Sequence, residues 1–596
     1  MSKKNREDGK LLSRLEPRKV LKMDTFKDFP TPWYKFYGKV PSSLDYPQKN
    51  MYELVADSAQ KFSKLIAWDF LGKKCTYKTF IKDIDKCALA LKRIGLSKGD
   101  VVTICLPNIP QAIIMFYALN KIGVIASMIH PLSAPKEIEF YLNESNSVCA
   151  ITLNAFYGNF IDILKNTKCK LVIVAKLPDY LGLAKSIGFQ LTKGRKIKPI
   201  PPKQPIIYWN DFMDMAGQET EKYERAIAPD ETAVILYSGG TSGSPKGIML
   251  SSNNFNALAL QTAVQGTVEP EDIMMVILPI FHGFGLGVCV HVSFISGMQC
   301  VLLPQFSADI FANSLKKSKP NFIAGVPTLY VALLKSEKLG DINLGCLKGV
   351  FSGGDKLPYD TKFKFDEFIR SHGGNVVIRE GYGLTESVTV CCLTPEKEFR
   401  EGSVGIPLSD TLIKIVESGT NNDVPVGTDG EICIFGPTVM KGYLNNKLET
   451  EQVLRVHNDG RKWLHTGDAG YVDKDGFVYY RQRIKRIIKC SGVAVYPSQV
   501  EDVLSKHPKV DSSCVIGIPD DYQIQKVKAF IVLKEGFEGS EELINDIKKF
   551  CKEYLIKWGI PKEIEFREVL PQTRVGKIAF SELEKEEQNK HIKKLM

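Results

Sequence analysis

The 596-residue sequence has no run of 18 or more apolar residues, and its N-terminus, MSKKNREDGKLLSRLEPRK, carries no apolar stretch. Neither a membrane-spanning helix nor a secretory leader is therefore expected, and the default address is the cytoplasm. The 14 cysteines include no C-x-x-C pair. Cys391 and Cys392 are adjacent, while most others sit in apolar runs, such as Cys105 in VVTICLP and Cys300 in MQCVLLP. That scatter reads as free thiols in a reducing compartment, without structural zinc. The formal charge of +11 is modest for the length. No basic stripe interleaved with aromatics accompanies it, which argues against nucleic acid and leaves small polyanions or an anionic surface as partners. No repeat of fixed period is visible, and nothing in the sequence gives the oligomeric state.

What the chain does contain is an alternation of strand and helix signals. The hydrophobic share of 44% and charged share of 25% are those of a globular protein, and the length calls for two or more domains. MYELVADSAQKF and TFIKDIDKCALALKRIG have helical periodicity, the second with Phe80, Ile84, Cys87 and Leu91 on one face. DVVTICLPN, VIASMIHP, TAVILY, MMVILP, QCVLLP, NFIAGVP, KGVFSGG and NVVIREG read as buried strands. The alternation predicts layered α/β sheets, largely parallel. Beyond about residue 400, TLIKIVE, GEICIFG, KWLHTGD and FVYYRQR predict a small antiparallel, barrel-like subdomain. From Tyr496 a compact α+β unit follows. The expected division is a basic extension (1–49), a large N-terminal domain (50–484) and a small, mobile C-terminal domain (485–596). Residues 1–22 are basic, and residues 176–205 carry many Lys and Arg with Asp179 as their single acid. Tyr180, Leu183, Ile187, Phe189 and Leu191 would give that stretch an apolar side, a pattern that can rest on an anionic membrane.

One stretch points directly to phosphate chemistry. YSGGTSGSPKG, Tyr237 to Gly247, follows the strand TAVILY and precedes the helix SSNNFNALALQ. Its glycines let backbone N–H groups approach a phosphate. Thr241, Ser242 and Ser244 add hydroxyls, and Lys246 adds a point charge suited to a β- or γ-phosphate. Pro245 stands where a Walker loop has its second glycine, and no G-x-G-x-x-G is present, so neither a P-loop nor a dinucleotide fingerprint is at hand.

This loop resembles the signature loop of the adenylate-forming superfamily, which includes acyl-CoA synthetases, peptide-synthetase adenylation domains and luciferases. The resemblance covers about residues 50 to 580, and further motifs follow in the family's order. It implies ATP, magnesium and coenzyme A as reactants, with Ser238, Gly240, Thr241, Ser242, Gly243 and Lys246 around the phosphates. LPIFHGFG resembles the segment beside the acyl pocket, placing His282 near the carboxylate and Gly283 and Phe284 along the pocket, to which Gly325 is also assigned. Gly283, Gly285 and Gly325 would leave room for an alkyl chain. FSGGDKLP resembles the turn against adenine (Gly353, Gly354, Asp355). EGYGLTES resembles the next nucleotide segment: Glu380, Gly381 and Gly383 line it, Tyr382 stacks on adenine, Thr385 contacts phosphate, and Glu386, with Thr241, holds magnesium. HTGD resembles the ribose turn, with Asp468 accepting from the ribose hydroxyls and Arg483 nearby. Lys485 matches the hinge position, and Lys489, Ser491 and Gly492 match the loop that meets the thiol. Many relatives carry Gly before the equivalent of Arg483; Gln482 stands here. PQTRVGKIAFSELE resembles the C-terminal signature, making Lys577 the lysine that bridges the carboxylate and the α-phosphate.

A carboxylate is a poor acyl donor until an acyl-AMP anhydride supplies a leaving group, and forming one brings two anions together. Positioning and positive charge are what such a site must provide. YSGGTSG, FIAGVPTLYVALL and TRVGKI look like the long-chain fatty acyl-CoA synthetase branch, and the implied reaction is acyl-AMP formation followed by transfer to coenzyme A. An aryl, branched or sterol-derived acid, or a carrier-protein thiol as acceptor, stays open. So does a non-catalytic nucleotide-binding scaffold, which would have no use for Lys577.

Overall fold

The computed structural model describes residues 28–192, 194–217, 225–238, 245–305, 307–490, 493–520, 524–573 and 577–595. Two large sheets form the N-terminal region. In the first, the parallel strands Thr232–Ser238, Ile125–Met128, Val101–Cys105, Cys149–Leu153, Leu171–Ala175 and Ile206–Tyr208 lie side by side. An antiparallel edge of Lys246–Ser251 and Gly442–Tyr443 extends it. In the second, Ile378–Tyr382, Gly349–Ser352, Phe322–Gly325, Ile273–Val276, Gln299–Leu302 and Ile66–Phe70 run parallel, with short antiparallel strands at both edges. The helix Pro110–Ile122 is buried at every position except Lys121, as expected of a helix apolar on all sides. Its neighbour Tyr77–Arg93 buries one stripe, including Phe80, Ile84, Cys87 and Leu91.

The antiparallel strands Leu412–Val416, Gly430–Phe435, Leu454–Val456, Lys462–Val472 and Val478–Arg483 form the third sheet. Residues 28–49, expected to belong to a separate extension, are built into this subdomain. Trp33 and Tyr37 join its apolar cluster with Leu412, Trp463 and Phe477. Tyr37 donates to the Pro407 carbonyl at 2.7 Å, and Tyr46 to Asp410 at 2.7 Å. Aromatic side chains in a nominally basic stretch give it area to bury, and that area outweighs its charge. The expected extension's first 27 residues lie outside the described residues.

The C-terminal region pairs Val510–Asp520 with Ile524–Leu533, adds Ile488–Cys490, Val493–Val495 and Glu563–Phe566, and covers the sheet with helices Pro497–Ser505 and Glu541–Tyr554. Its core, including Val500, Leu504, Val515, Val527 and Ile547, is separate from the larger one. Among the described residues no helix is long and apolar enough to cross a membrane. All 14 cysteines are unpaired, and all but Cys346 are buried.

Because Trp33 is 3% exposed in the aromatic cluster, Trp33→Ala should destabilise the N-terminal region by about 3 kcal/mol. A lower urea midpoint at unchanged far-UV signal would register this, whereas an unmoved midpoint would return residues 28–49 to the role of an appendage.

Candidate active site

The two regions meet over a cavity of about 2260 Å³, and most of the residues expected at a nucleotide site line it. Strand ends and the turns after them deliver the side chains, as in open α/β sheets generally. Gly353, Gly354 and Asp355 follow the strand Gly349–Ser352, while Glu380, Gly381 and Tyr382 end the strand Ile378–Tyr382 and lead into Thr385 and Glu386. Gly354 has φ of +83°, a turn conformation that a side chain would strain.

Asp468 is buried and accepts a 2.7 Å hydrogen bond from the Tyr382 hydroxyl through Oδ2. Arg483 Nε lies 3.0 Å from Oδ1, at ion-pair distance. It does not point its N–H there, and Oδ1 is left without a hydrogen-bond donor. A buried carboxylate oxygen of this kind is ready to accept from a ligand hydroxyl. Burial pushes the Asp468 carboxyl up while the Arg483 guanidinium draws it down. Burial likewise pushes Glu380 up to about 7, against the Leu357 N–H it accepts at 3.1 Å. Glu386 takes a 2.9 Å hydrogen bond from the Tyr443 hydroxyl.

Lys577 arrives from the C-terminal region. Thr573 N–H donates to the Lys577 carbonyl (2.6 Å), and Lys577 N–H donates to Thr573 Oγ1 (3.1 Å). A methyl group placed on Gly354 would lie 3.7 Å from Lys577 Cε and 4.0 Å from Nζ. Burial holds its ammonium below the usual lysine range, Asp355 and Asp468 raise it, and Arg483 lowers it further. The same charge reaches His282, which burial and then Lys577 bring down to about 4. His282 is therefore neutral near pH 7, and its Nδ1 accepts from the Phe284 N–H at 3.2 Å.

Part of the cavity lining is apolar: Phe284, Val288, Val292, Met274, Phe322 and Phe351, with Gly266 among them. Phe284–His291 is wound as a π-helix, with Val292 N–H reaching the Gly287 carbonyl five residues back, a form often found at functional sites. The room expected at Gly283, Gly285 and Gly325 is absent. A Cβ on Gly283 would meet the Val388 carbonyl at 1.8 Å, on Gly285 the Pro279 carbonyl at 2.2 Å, and on Gly325 Leu329 Cδ2 at 2.2 Å. Gly283, Gly285 and Gly325 do not line the cavity; these glycines permit close packing.

The phosphate loop also differs from its expected setting. It joins two antiparallel strands, with Ser238 registered opposite Lys246, and the helix Ser252–Gly266 begins only after the second strand. Alternation in KGIMLS, with Ile248 and Leu250 fully buried, makes that segment a strand. Lys246 pairs with Glu449 and lies 5.1 Å from the Tyr443 ring centroid. Gly240, Thr241, Ser242 and Gly243 lie outside the described residues, as do Ser491 and Gly492.

Sequence reasoning missed Glu449 and Tyr443. The signal available was the capping pattern NNKLE: the Asn446 side chain accepts from Glu449 N–H at 3.1 Å and starts the helix Lys447–Val453. At the expected hinge, Lys485 lies in the turn Ile484–Arg486. The unusual Gln482 accepts from Ser498 N–H at 3.2 Å, bonding the last strand of the antiparallel sheet to the next region's first helix. Lys356 and Asp502 form an ion pair across the same junction, and Arg486 binds Glu501 at 2.8 Å. Lys489 is exposed, its N–H donating to Gln525 at 2.9 Å.

Comparisons with known proteins agree with this geometry. The chain is 35% identical over 569 residues to the long-chain-fatty-acid–CoA ligase of Bacillus subtilis, covering 94% of this chain and 99% of that protein. It is 30% identical over 557 residues to a probable 4-coumarate–CoA ligase of Dictyostelium discoideum, covering 91% and 96%. Among solved structures, the o-succinylbenzoate CoA synthetase of Bacillus subtilis, in complex with its acyl-adenylate intermediate, superposes with a TM-score of 0.71 at 25% identity, over 90% of this chain and 98% of that one. Residues 55–444 match the AMP-binding enzyme family and residues 499–577 its C-terminal domain, and the chain belongs to that family of AMP-forming acid–thiol ligases.

Proposed function

We propose that this enzyme activates a fatty acid with ATP to give acyl-AMP and pyrophosphate, then transfers the acyl group to coenzyme A with release of AMP. The observation that carries the proposal is the junction of three features in one cavity: Lys577 over Gly354, the unsatisfied Asp468 Oδ1, and an apolar stretch of lining that includes Val288, Val292, Met274 and Phe322. The names of the fatty-acid–CoA ligase relatives support the same substrate class.

The division of labour follows from charge. Asp468 and Arg483 take the ribose edge, and Gly353 and Gly354 let the adenine lie against backbone. The acid's carboxylate sits between His282 and Lys577, so that one oxygen faces the α-phosphorus. Attack there forms the anhydride and expels pyrophosphate, while Lys577 offsets the charge of two anions in a site that excludes water. Neutral His282 adds polarity without a second charge. Lys246 meets the departing phosphates. Magnesium, when bound, neutralises phosphate charge; the hard oxygen of Glu386, with Thr241, suits it. Thioester formation then needs a thiolate at the carbonyl. Rotation of residues 485–596 about Lys485 withdraws Lys577 and brings Lys489, Ser491 and Gly492 in, a hinge-type gate.

A peripheral membrane contact accords with a water-insoluble substrate. The helix Leu183–Leu191 exposes Ile187 (52%) and Leu191 (55%), with Lys185, Arg195, Lys196 and Lys198 in or just after it. Tyr180, expected on that apolar side, turns inward instead and packs edge-on to Trp68 at 5.7 Å. The occupant proposed for this face is an anionic bilayer; residues 1–22 and Lys193, also expected to contribute, lie outside the described residues.

Three outcomes follow. Lys577→Ala should slow acyl-AMP formation by about 10²–10³-fold while thioester formation from supplied acyl-AMP stays within several-fold; equal loss of both half-reactions would sink the two-state assignment. Gly266→Leu, which adds bulk toward Phe322 and Phe351, should shift kcat/KM from long toward shorter alkyl acids. A chain-length profile unchanged in that variant would mean the apolar lining does not hold the acyl chain. Replacing Arg195, Lys196 and Lys198 with Gln should weaken sedimentation with phosphatidylglycerol vesicles by roughly fivefold per charge. Equal sedimentation of variant and wild type would leave the segment an ordinary surface excursion.

A further inference from the structure

Next to the ribose turn lies a second cluster of chemistry that acid activation does not use. The antiparallel sheet registers Cys433 opposite His465 on adjacent strands. His457 follows the strand Leu454–Val456 and enters from the hairpin whose turn closes through Gly460 N–H to the His457 carbonyl at 2.9 Å. All three are buried, and each can place a ligand atom within 4.8 Å of the other two. The two imidazoles face one another, Nε2 to Nε2, at 2.9 Å. His465 Nδ1 meets Glu431 Oε2 at 3.0 Å, so a neutral His465 turns its Nε2 lone pair toward His457.

We propose that Cys433, His457 and His465 form a buried binding site for a thiophilic d10 cation, zinc or cuprous copper. Two imidazole nitrogens and one sulfur are the donor set such ions select. Zinc–nitrogen bonds of about 2.0–2.1 Å at a tetrahedral angle put the nitrogens about 3.3 Å apart, so the imidazole pair has only a few tenths of an ångström to open. The carboxylate behind His465 is the outer partner that a metal-bound imidazole ordinarily has. Charge balances as well: binding displaces the Cys433 thiol proton, and the resulting thiolate together with Glu431 neutralises a divalent ion. The nearby Lys414 ammonium is already paired with Asp423 at 2.9 Å. Glu431 also accepts the Gly467 N–H at 2.9 Å, and Thr466 donates to the Ile432 carbonyl at 2.7 Å. An ion here therefore braces the turn that presents Asp468.

The test is metal content and spectroscopy of the full-length protein, produced in minimal medium supplemented with zinc, copper or cobalt. Because the site is closed, the ion is supplied during folding. About one equivalent of zinc or copper per chain is expected, and the two preparations tell the ions apart. The cobalt protein should show a thiolate-to-cobalt charge-transfer band that Cys433→Ser removes and that Cys551→Ser, a buried thiol in the other core, retains. His457→Gln should release zinc to a chelator at least ten times more readily, and it carries the test if Cys433→Ser fails to fold by circular dichroism. Less than a tenth of an equivalent in every preparation, or a charge-transfer band that survives Cys433→Ser, would overturn the site.

Discussion

Placing one ammonium group beside two anions is the constraint on which the site depends. Lys577 sits in the cavity only because the C-terminal region lies against the N-terminal one, with Lys356 paired to Asp502 and Gln482 bonded to Ser498 N–H. Burial makes that ammonium costly, as its lowered pKa records, and the same desolvation strengthens its attraction for a carboxylate and a phosphate. In the proposed mechanism a charge so placed serves one half-reaction and obstructs the next, and the C-terminal region that carries it has a core of its own.

Around that charge the structure separates polar from apolar work. The turns after Gly349–Ser352 and Ile378–Tyr382 present backbone and carboxylates to the cavity. The π-helix Phe284–His291, seated by close backbone contacts at Gly283 and Gly285, brings Val288, and Val292 just after it, to the cavity wall. His282 stands where the two meet, neutral because burial and the neighbouring lysine both oppose its protonation. The antiparallel subdomain holds Asp468 in place, and residues 28–49 cover its far cluster with Trp33 and Tyr37.

Much of this was legible in the chain. Parallel strands announced themselves as short apolar runs, because burial on both faces leaves no polar alternation. The order of YSGGTSGSPKG, LPIFHGFG, FSGGDKLP, EGYGLTES, HTGD and PQTRVGKIAF pointed to the family, since glycine, hydroxyl and carboxylate positions in loops answer to a ligand more than to a core, and residues from most of these segments line one cavity. The strand that follows the phosphate loop, Lys246–Ser251, was hidden by its shortness, and the aromatic docking of residues 28–49 by their basic neighbours. The room expected at Gly283, Gly285 and Gly325 is filled, because whether a glycine leaves space or permits contact depends on what packs against it.

The sequence by itself determined the layered α/β architecture and the reaction class, both of which are properties of local pattern and residue chemistry. Only the tertiary structure decided that Lys246 meets Glu449, that Gly266 lines the cavity while Gly283 does not, and that Cys433, His457 and His465 converge. Those relations join residues from separate strands and turns, and their distances are set by sheet register and packing, which no spacing along the chain encodes.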